Sequence, residues 1–433
     1  MSTNMNINVH YVTRVEGHGN ILVDVKDSKV VNCKWEVIEA PRFFEGFIRG
    51  VHYKDVSEIV SRICGICSIG HTTASIRATE DAFGYKPTEQ TLLLRKLLLN
   101  GETLQSHVLH YYFLAAPDFL EAKSVFALIP SHADVVKMAL RLKRIANELC
   151  DLIGGRTIHP IREVVGGFTK LPTESELRNL KNVLENECLP LLDKTVDIFA
   201  SLAPKIPNFA RETEYLGLVR DDEYAFYDGE LGSTDAGRTD IHNYKSWTNE
   251  YVVPHSTAKW TKNKRESLAV GALARFNLNS RLLHPKAKAA AEKLGLKPIN
   301  YNPFMNNIAQ VIESVQAVED SIMIIDKLLA KGIKDEKVDP MPLKECHGVG
   351  AVEVPRGLLI HDYYYDKTGH IVNANCIIPT NQNCANIEYD MKKLVPEIMD
   401  KPQEEVQLML EMLVRSYDPC ISCSVHLVKV NFK

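Results

Sequence analysis

The chain has 433 residues, 45% of them hydrophobic, and a formal net charge of −4. Such apolar content supplies a large core without crosslinks, and ten cysteines are few for this length, which favours reduced thiols or metal ligation in a reducing compartment over a disulfide framework. Lysines and arginines are scattered, so no nucleic-acid or anionic-membrane partner is expected. No apolar run approaches the roughly 18 residues of a membrane span, and the start, MSTNMNINVHYV, lacks the basic and apolar segments of a signal peptide.

The first legible element is a β-hairpin. In ILVDVKDSKVVNCKWEV, Ile21, Val23 and Val25 share one face, the chain turns over 26–29, and Val31, Cys33, Trp35 and Val37 share a face on the return. Thr88 caps a helix running toward Ala115, about 40 Å at 1.5 Å per residue. A helix over 133–153 stops at Gly154-Gly155, and TESE at 173–176 is a capping box opening a helix interrupted near Pro190. Residues 205–265, rich in Asp, Gly, Asn and Tyr, read as an irregular surface excursion. There follow a helix over Asn306–Lys331, a second hairpin in GLLIHDYYYDKTGHIVNANCIIPT turning over 366–369, and a helix over 403–417. The expected fold class is α+β, mainly α: one large domain over 1–433, a bundle of long helices with β-hairpins packed at its side.

Chemistry concentrates in two cysteine pairs. SRICGICSIGH carries Cys64 and Cys67, followed by His71, and DPCISC near the far end carries Cys420 and Cys423 at the same C-x-x-C spacing. That spacing lets both sulfurs of a pair reach one metal, and four thiolates suit zinc or iron–sulfur, while a single pair suits redox chemistry; spacing leaves all three open. Zinc ribbons hold small loops, whereas these pairs join the two ends of a chain with ample core, so stability is a weak motive. The other six cysteines lack pair spacing and read as core thiols.

The flanks of the pairs carry a resemblance. VTRVEGH (12–18), RICGICSIGH (62–71), GGRTIHP with VVGG (154–167), GVGAVEVPRG (348–357), IPTNQN (378–383) and DPCISCSVH (418–426) resemble, in order, the signature segments of the nickel–iron hydrogenase large subunit. LHYYFLAAPDF and LGLVRDD are most similar to its soluble, cytoplasmic multi-subunit members. The resemblance implies that fold, and an oxidoreductase that reversibly and heterolytically oxidises H2 to protons and electrons. It implies a NiFe(CN)2CO centre with nickel held by Cys64, Cys67, Cys420 and Cys423, of which Cys67 and Cys423 also bridge to iron; soft thiolates suit both metals. By the same resemblance Cys420 acts as base, Glu16 is the proton gate, Arg356 hangs over the open metal position with Asp418 orienting it, and His71 hydrogen-bonds a bridging sulfur. Glu45, His426 and a main-chain carbonyl placed at Cys384 are implied to bind a second ion, Mg2+ or Fe2+.

One departure is Ser106, in LQSHVLHYYFL, where many family members carry aspartate before the two histidines, here His107 and His110. The chain has no spare cysteine framework for iron–sulfur clusters and no G-x-G-x-x-G turn between a strand and a helix. The resemblance therefore implies an iron–sulfur small subunit as partner and further electron-transfer subunits of flavin, NAD(P) or heterodisulfide-reductase type. It also implies a maturation protease removing a tail at 427–433, after His426. Two alternatives are a hydrogen-sensing regulator, separated by its turnover and partners, and a structural four-cysteine zinc protein, separated by zinc without nickel. A related quinone-reducing respiratory subunit shares the fold but lacks the cysteine pairs.

Overall fold

In the computed structural model, which describes residues 4–338 and 340–425, alternation places the first hairpin where expected. Gly19–Lys26 and Lys29–Val37 pair antiparallel with Lys26 opposite Lys29. Asp27 and Ser28 between them have φ of 50° and 59°, the left-handed pair that a two-residue turn requires. Ile21, Val23, Val25, Cys33, Trp35 and Val37 are buried, but Val31 is 57% exposed, because the register shifts between Asp24 and Val25 and leaves it bulged out. A third strand, Met5–Val9, completes this sheet.

A second antiparallel meander runs Cys346–Val354, Gly357–Tyr365 and Ile371–Ile377. Its expected turn closes on Asp366, whose Oδ1 accepts from Thr368 N at 2.8 Å and His370 N at 3.0 Å. Gly348 and Gly350 face the helix Ser68–Phe83, and a Cβ on either would overlap that helix's backbone at Ala74, Ala78 and Ala82. Small residues at helical spacing thus meet glycines at strand spacing, and the two elements touch backbone to backbone.

The helices form a bundle beside these sheets. Glu89–Val108 starts at Thr88, whose hydroxyl accepts from Thr91 N at 3.1 Å, and continues through a π-helical stretch, Leu109–Ala115. It packs against Val125–Gly154 and Asn306–Lys331. Val125–Gly154 breaks at His132, two residues past Pro130, so the regular part begins where the sequence puts it. Thr173 and Glu176 make the expected capping box, and the helix widens to a π-helical turn at Leu184–Cys188 before Pro190. Asn306–Lys331 is found as expected, and the last long helix is Gln403–Ser416.

One expectation fails. Residues 205–265 are not an irregular excursion: they hold Glu214–Val219, buried along its whole length, and two further strands, Glu230–Ser233 and Gly237–Thr239. Leu216, Leu218 and Leu231 pack with Val349, Ala351, Leu358 and Ile360 of the second meander. Few aliphatics suffice here because each lies on a strand whose neighbours supply the rest of the core. The helices Ser68–Phe83 and Pro379–Ile398 also escaped the sequence reading, since burial on nearly all sides leaves little polar stripe.

Gly350→Ala is expected to destabilise the chain by about 1–3 kcal/mol through overpacking. Gly46→Ala, with nothing within 4 Å of its added Cβ, is expected to be neutral or slightly stabilising; thermal unfolding of the two variants checks the contrast.

Candidate metal centre

The two cysteine pairs meet. Cys64 lies between a turn at Ser61–Ile63 and the helix Ser68–Phe83, for which Cys67 is the residue before the first turn. Cys420 precedes the short helix Ile421–Ser424, which carries Cys423. All four are at most 3% exposed. Cys64 Sγ is 3.4 Å from Cys420 Sγ, Cys420 and Cys423 bring their sulfurs into direct contact, and the ligand atoms of Cys64, Cys420 and Cys423 all lie within 4.8 Å of one another. Cys67 stands just outside this trio, with Arg356 Nη1 donating to its Sγ at 3.5 Å.

The surroundings prepare thiolate. Burial pushes the Cys64 thiol up, but the Cys67 hydrogen bond, the Arg356 charge and backbone N–H groups outweigh it and bring it down to about 7. Those N–H groups are Ile66 N at 3.2 Å and Cys67 N at 3.0 Å. Cys67 is held well above the usual thiol range, first by its hydrogen bond to Cys64 and then by burial, so the pair shares one proton. Behind it Glu102, not singled out from sequence, accepts from Ile69 N at 2.8 Å and fixes the start of the helix that presents Cys67.

Arg356 occupies a two-residue hairpin turn, Pro355 and Arg356 lying between the paired Val354 and Gly357. Asp418 holds it as expected: Arg356 Nη2 donates to Asp418 Oδ1 at 2.8 Å and Nε to the Asp418 carbonyl at 2.6 Å. Gln310 Nε2 reaches the other Asp418 oxygen at 3.1 Å, and His110 spans Gln310 and the Arg415 carbonyl. The guanidinium therefore has one nitrogen left for the thiol side.

Glu16 runs beside Cys420, its carbonyl accepting from Ile421 N at 2.9 Å. Its carboxylate accepts from Ser422 N at 3.1 Å and Ser422 Oγ at 2.6 Å. Two unforeseen residues secure this loop: Arg42 donates to the carbonyls of Ile63 and Ser422, and Thr380 Oγ1 accepts from Cys420 N at 2.9 Å. Thr380 lies in the quoted IPTNQN segment and Arg42 precedes FFEG, so motif position was the available signal. His71 Nδ1 meets His361 Nε2 at 3.1 Å, and His361 Nδ1 meets Tyr363 Oη at 2.5 Å.

Comparison with known proteins agrees with this geometry. A family profile described as Nickel-dependent hydrogenase matches residues 42–138 and 217–426, and one described as HoxL-like matches 6–40. The chain belongs to the nickel-dependent hydrogenase family. It is 35% identical to sulfhydrogenase 1 subunit alpha of Pyrococcus furiosus over 98% of both chains. It is 34% identical to sulfhydrogenase 2 subunit alpha of the same organism, over 98% of this chain and all of the other. An NAD+-reducing NiFe hydrogenase solved in its H2-reduced state superposes with a TM-score of 0.89 at 26% identity, over 98% of this chain and 100% of that one.

As a hydrogenase large subunit the chain has the α+β, mainly α fold expected, and the buried thiol set fits a nickel–iron centre: soft donors, from both motifs, in one dry site. Ser106 is buried with its hydroxyl unpartnered among the described residues, so it does not take over an acidic partner's bond to Arg356. His107 turns away to Glu313 at 2.8 Å. The second-ion expectation needs correcting at Cys384. That residue sits inside the helix Pro379–Ile398, where its carbonyl points along the axis to the next turn. Glu45 instead lies against Cys376 on the neighbouring strand, accepting from its backbone N at 3.0 Å. His426 and 427–433 lie outside the described residues.

In the metal-free hydrogenase, ultraviolet thiolate absorbance is expected to appear as pH rises through about 7. It should vanish in Cys64→Ser and move to higher pH in Arg356→Ala, where the charge that favours thiolate is gone.

Proposed function

We propose that this chain catalyses reversible oxidation of H2, and that Cys64, Cys67, Cys420 and Cys423 are the residues that would hold nickel, with Cys67 and Cys423 also serving iron. The observation that carries the reading is the meeting of thiols from both motifs, Cys64 Sγ lying 3.4 Å from Cys420 Sγ in a buried site. When bound, the nickel–iron centre, with cyanide and carbonyl ligands on iron, supplies the Lewis acidity that polarises hydrogen and takes up its electrons.

The remaining chemistry belongs to side chains. Cys420 Sγ takes the proton as base, and Glu16, whose backbone runs alongside Cys420, carries it outward by rotation of a carboxyl that rests on Ser422. Arg356, held at two points by Asp418, keeps a fixed positive group over the thiol side and excludes water there. His71, whose Nδ1 is held by His361 at 3.1 Å, hydrogen-bonds a bridging sulfur through its other ring nitrogen. Glu45 with His426 binds a second divalent ion, Mg2+ or Fe2+, and its main-chain ligand is assigned to the Cys376 strand.

The partner is an iron–sulfur subunit. Phe47 and Ile161 are large apolar side chains left 65% and 49% exposed. The 158–161 segment rests on the motif's flanks, His159 N donating to Ser68 Oγ at 2.8 Å. Further flavin, NAD(P) or heterodisulfide-reductase-type subunits pass the electrons on, a maturation protease acts after His426, and the assembly works in the cytoplasm. Eight free cysteines among the described residues suit that reducing setting.

Complex matured in its native host is expected to contain one nickel in this subunit and one iron beside it, over and above the iron of the partner's clusters and of any second ion site, and to show infrared stretches of cyanide and carbon monoxide. Zinc alone, with neither band, would sink the reading. Glu16→Gln is expected to keep the metals and lose roughly 10²-fold or more in H2 turnover, the contribution of one proton-transfer group; hydrogen uptake alongside metal analysis separates the two effects.

A further inference from the structure

Arg275 has no part in the site described so far, yet its environment is unusual. It lies on the helix Ala272–Asn279, fully buried, and all five of its N–H groups are engaged. Nε donates to Glu313 Oε1 at 2.7 Å and Nη2 to Glu313 Oε2 at 2.6 Å, while Nη1 donates to Glu353 Oε2 at 2.9 Å. The two remaining bonds go to main-chain carbonyls, Val354 O at 2.8 Å and Pro355 O at 3.0 Å. Those are the two residues immediately before Arg356.

The acidic partners are themselves fixed. Glu313 also accepts from Tyr224 Oη at 2.7 Å and meets His107 Nε2 at 2.8 Å. Glu353 accepts from Leu218 N at 2.7 Å. The start of the Arg275 helix presses on the same turn. Gly271 and Gly357 have φ of 113° and 129°, and a Cβ on Gly357 would overlap Gly271 N. The turn is therefore gripped on its carbonyls by Arg275 and on its backbone by Gly271.

We propose that Arg275, seated on Glu313 and Glu353, is a positioning residue for the Arg356 guanidinium, setting the turn from which that group reaches Asp418 and Cys67. This rests on the hydrogenase reading and deepens it. Asp418 fixes the far end of the Arg356 side chain, and Arg275 fixes its root; a side chain anchored at both ends keeps one geometry without help from the solvent. Lysine cannot substitute, because a single ammonium with three donors cannot span two carboxylates and two carbonyls.

The test uses the matured complex in a double-mutant cycle of Arg275→Lys and Arg356→Lys, with Glu163→Gln as a buried-charge control away from the turn. Arg275→Lys is expected to retain nickel and iron, to shift the metal-ligand infrared bands and to lower kcat by about tenfold or more, within the range for misplacement of a reacting group. In the Arg356→Lys background the same change should cost no more than about twofold, since it acts through the group already altered. Amide hydrogen exchange over 350–360 should quicken in Arg275→Lys and stay unchanged in Glu163→Gln. Losses that multiply in full across the cycle, or exchange that does not change, overturn the proposal. If Arg275→Lys does not fold, Glu353→Gln carries the same cycle, with a smaller loss expected and the same non-additivity required. A wild-type complex without nickel or H2 uptake defeats the hydrogenase reading, and the exchange comparison still decides whether Arg275 sets the turn.

Discussion

The arrangement depends on one cation that joins two distant stretches of backbone. Arg42 donates to the carbonyls of Ile63 and Ser422, which precede Cys64 and Cys423. Loops that present thiols to a common point leave carbonyls unpaired, and an unpaired buried carbonyl is costly. A guanidinium between the loops answers both loops at once and sets their separation. Ser422 amide and hydroxyl bonds to Glu16, and the Thr380 bond to Cys420 N, complete the same task on the other side. Thiol proximity is thus supported by backbone pairing that the protein makes for itself.

Around this clamp the interior is more charged than a core of this size needs. Arg95 with Glu80 and Glu163, Arg275 with Glu313 and Glu353, Arg356 with Asp418, and Arg415 with Asp118 are all buried. Such pairs add little net stability over apolar packing, but removing one member strands the other, so they enforce a particular arrangement. Each touches a segment that the site uses. Arg95 reaches the Val164 carbonyl beside the glycine pair, Arg415 reaches the Thr13 carbonyl ahead of Glu16, and Arg356 reaches Asp418 ahead of Cys420.

Much of this was legible from residue order. Period-two alternation located the first hairpin, turn chemistry at 366–369 between aromatic and β-branched runs located the second, and capping residues located the long helices to within a few positions, because those signals are local. Motif context singled out the four cysteines with Arg356, Asp418 and Glu16, and the fold brings them to one place. Arg42, Glu102, Arg275 and Thr380 were not assigned roles, since their use depends on which carbonyl or amide the tertiary fold leaves beside them. Cys384 was misjudged for a related reason. Two cysteines flank the strand-to-helix junction at Pro379, and periodicity there does not say which carbonyl remains free of the helix.

The glycine-to-alanine contact between Cys346–Val354 and Ser68–Phe83 joins the element that ends at the Arg356 turn to the element that begins at Cys67. Arg356 and Cys67 are consequently mounted on one block, and their spacing is inherited from a backbone contact well away from either. A lesion at Gly350 would be recorded in a genetic screen as a loss of hydrogen metabolism, although the residue touches neither metal nor gas. Tolerance to mutation in this protein should therefore follow the distance from that seam as closely as the distance from the chemistry.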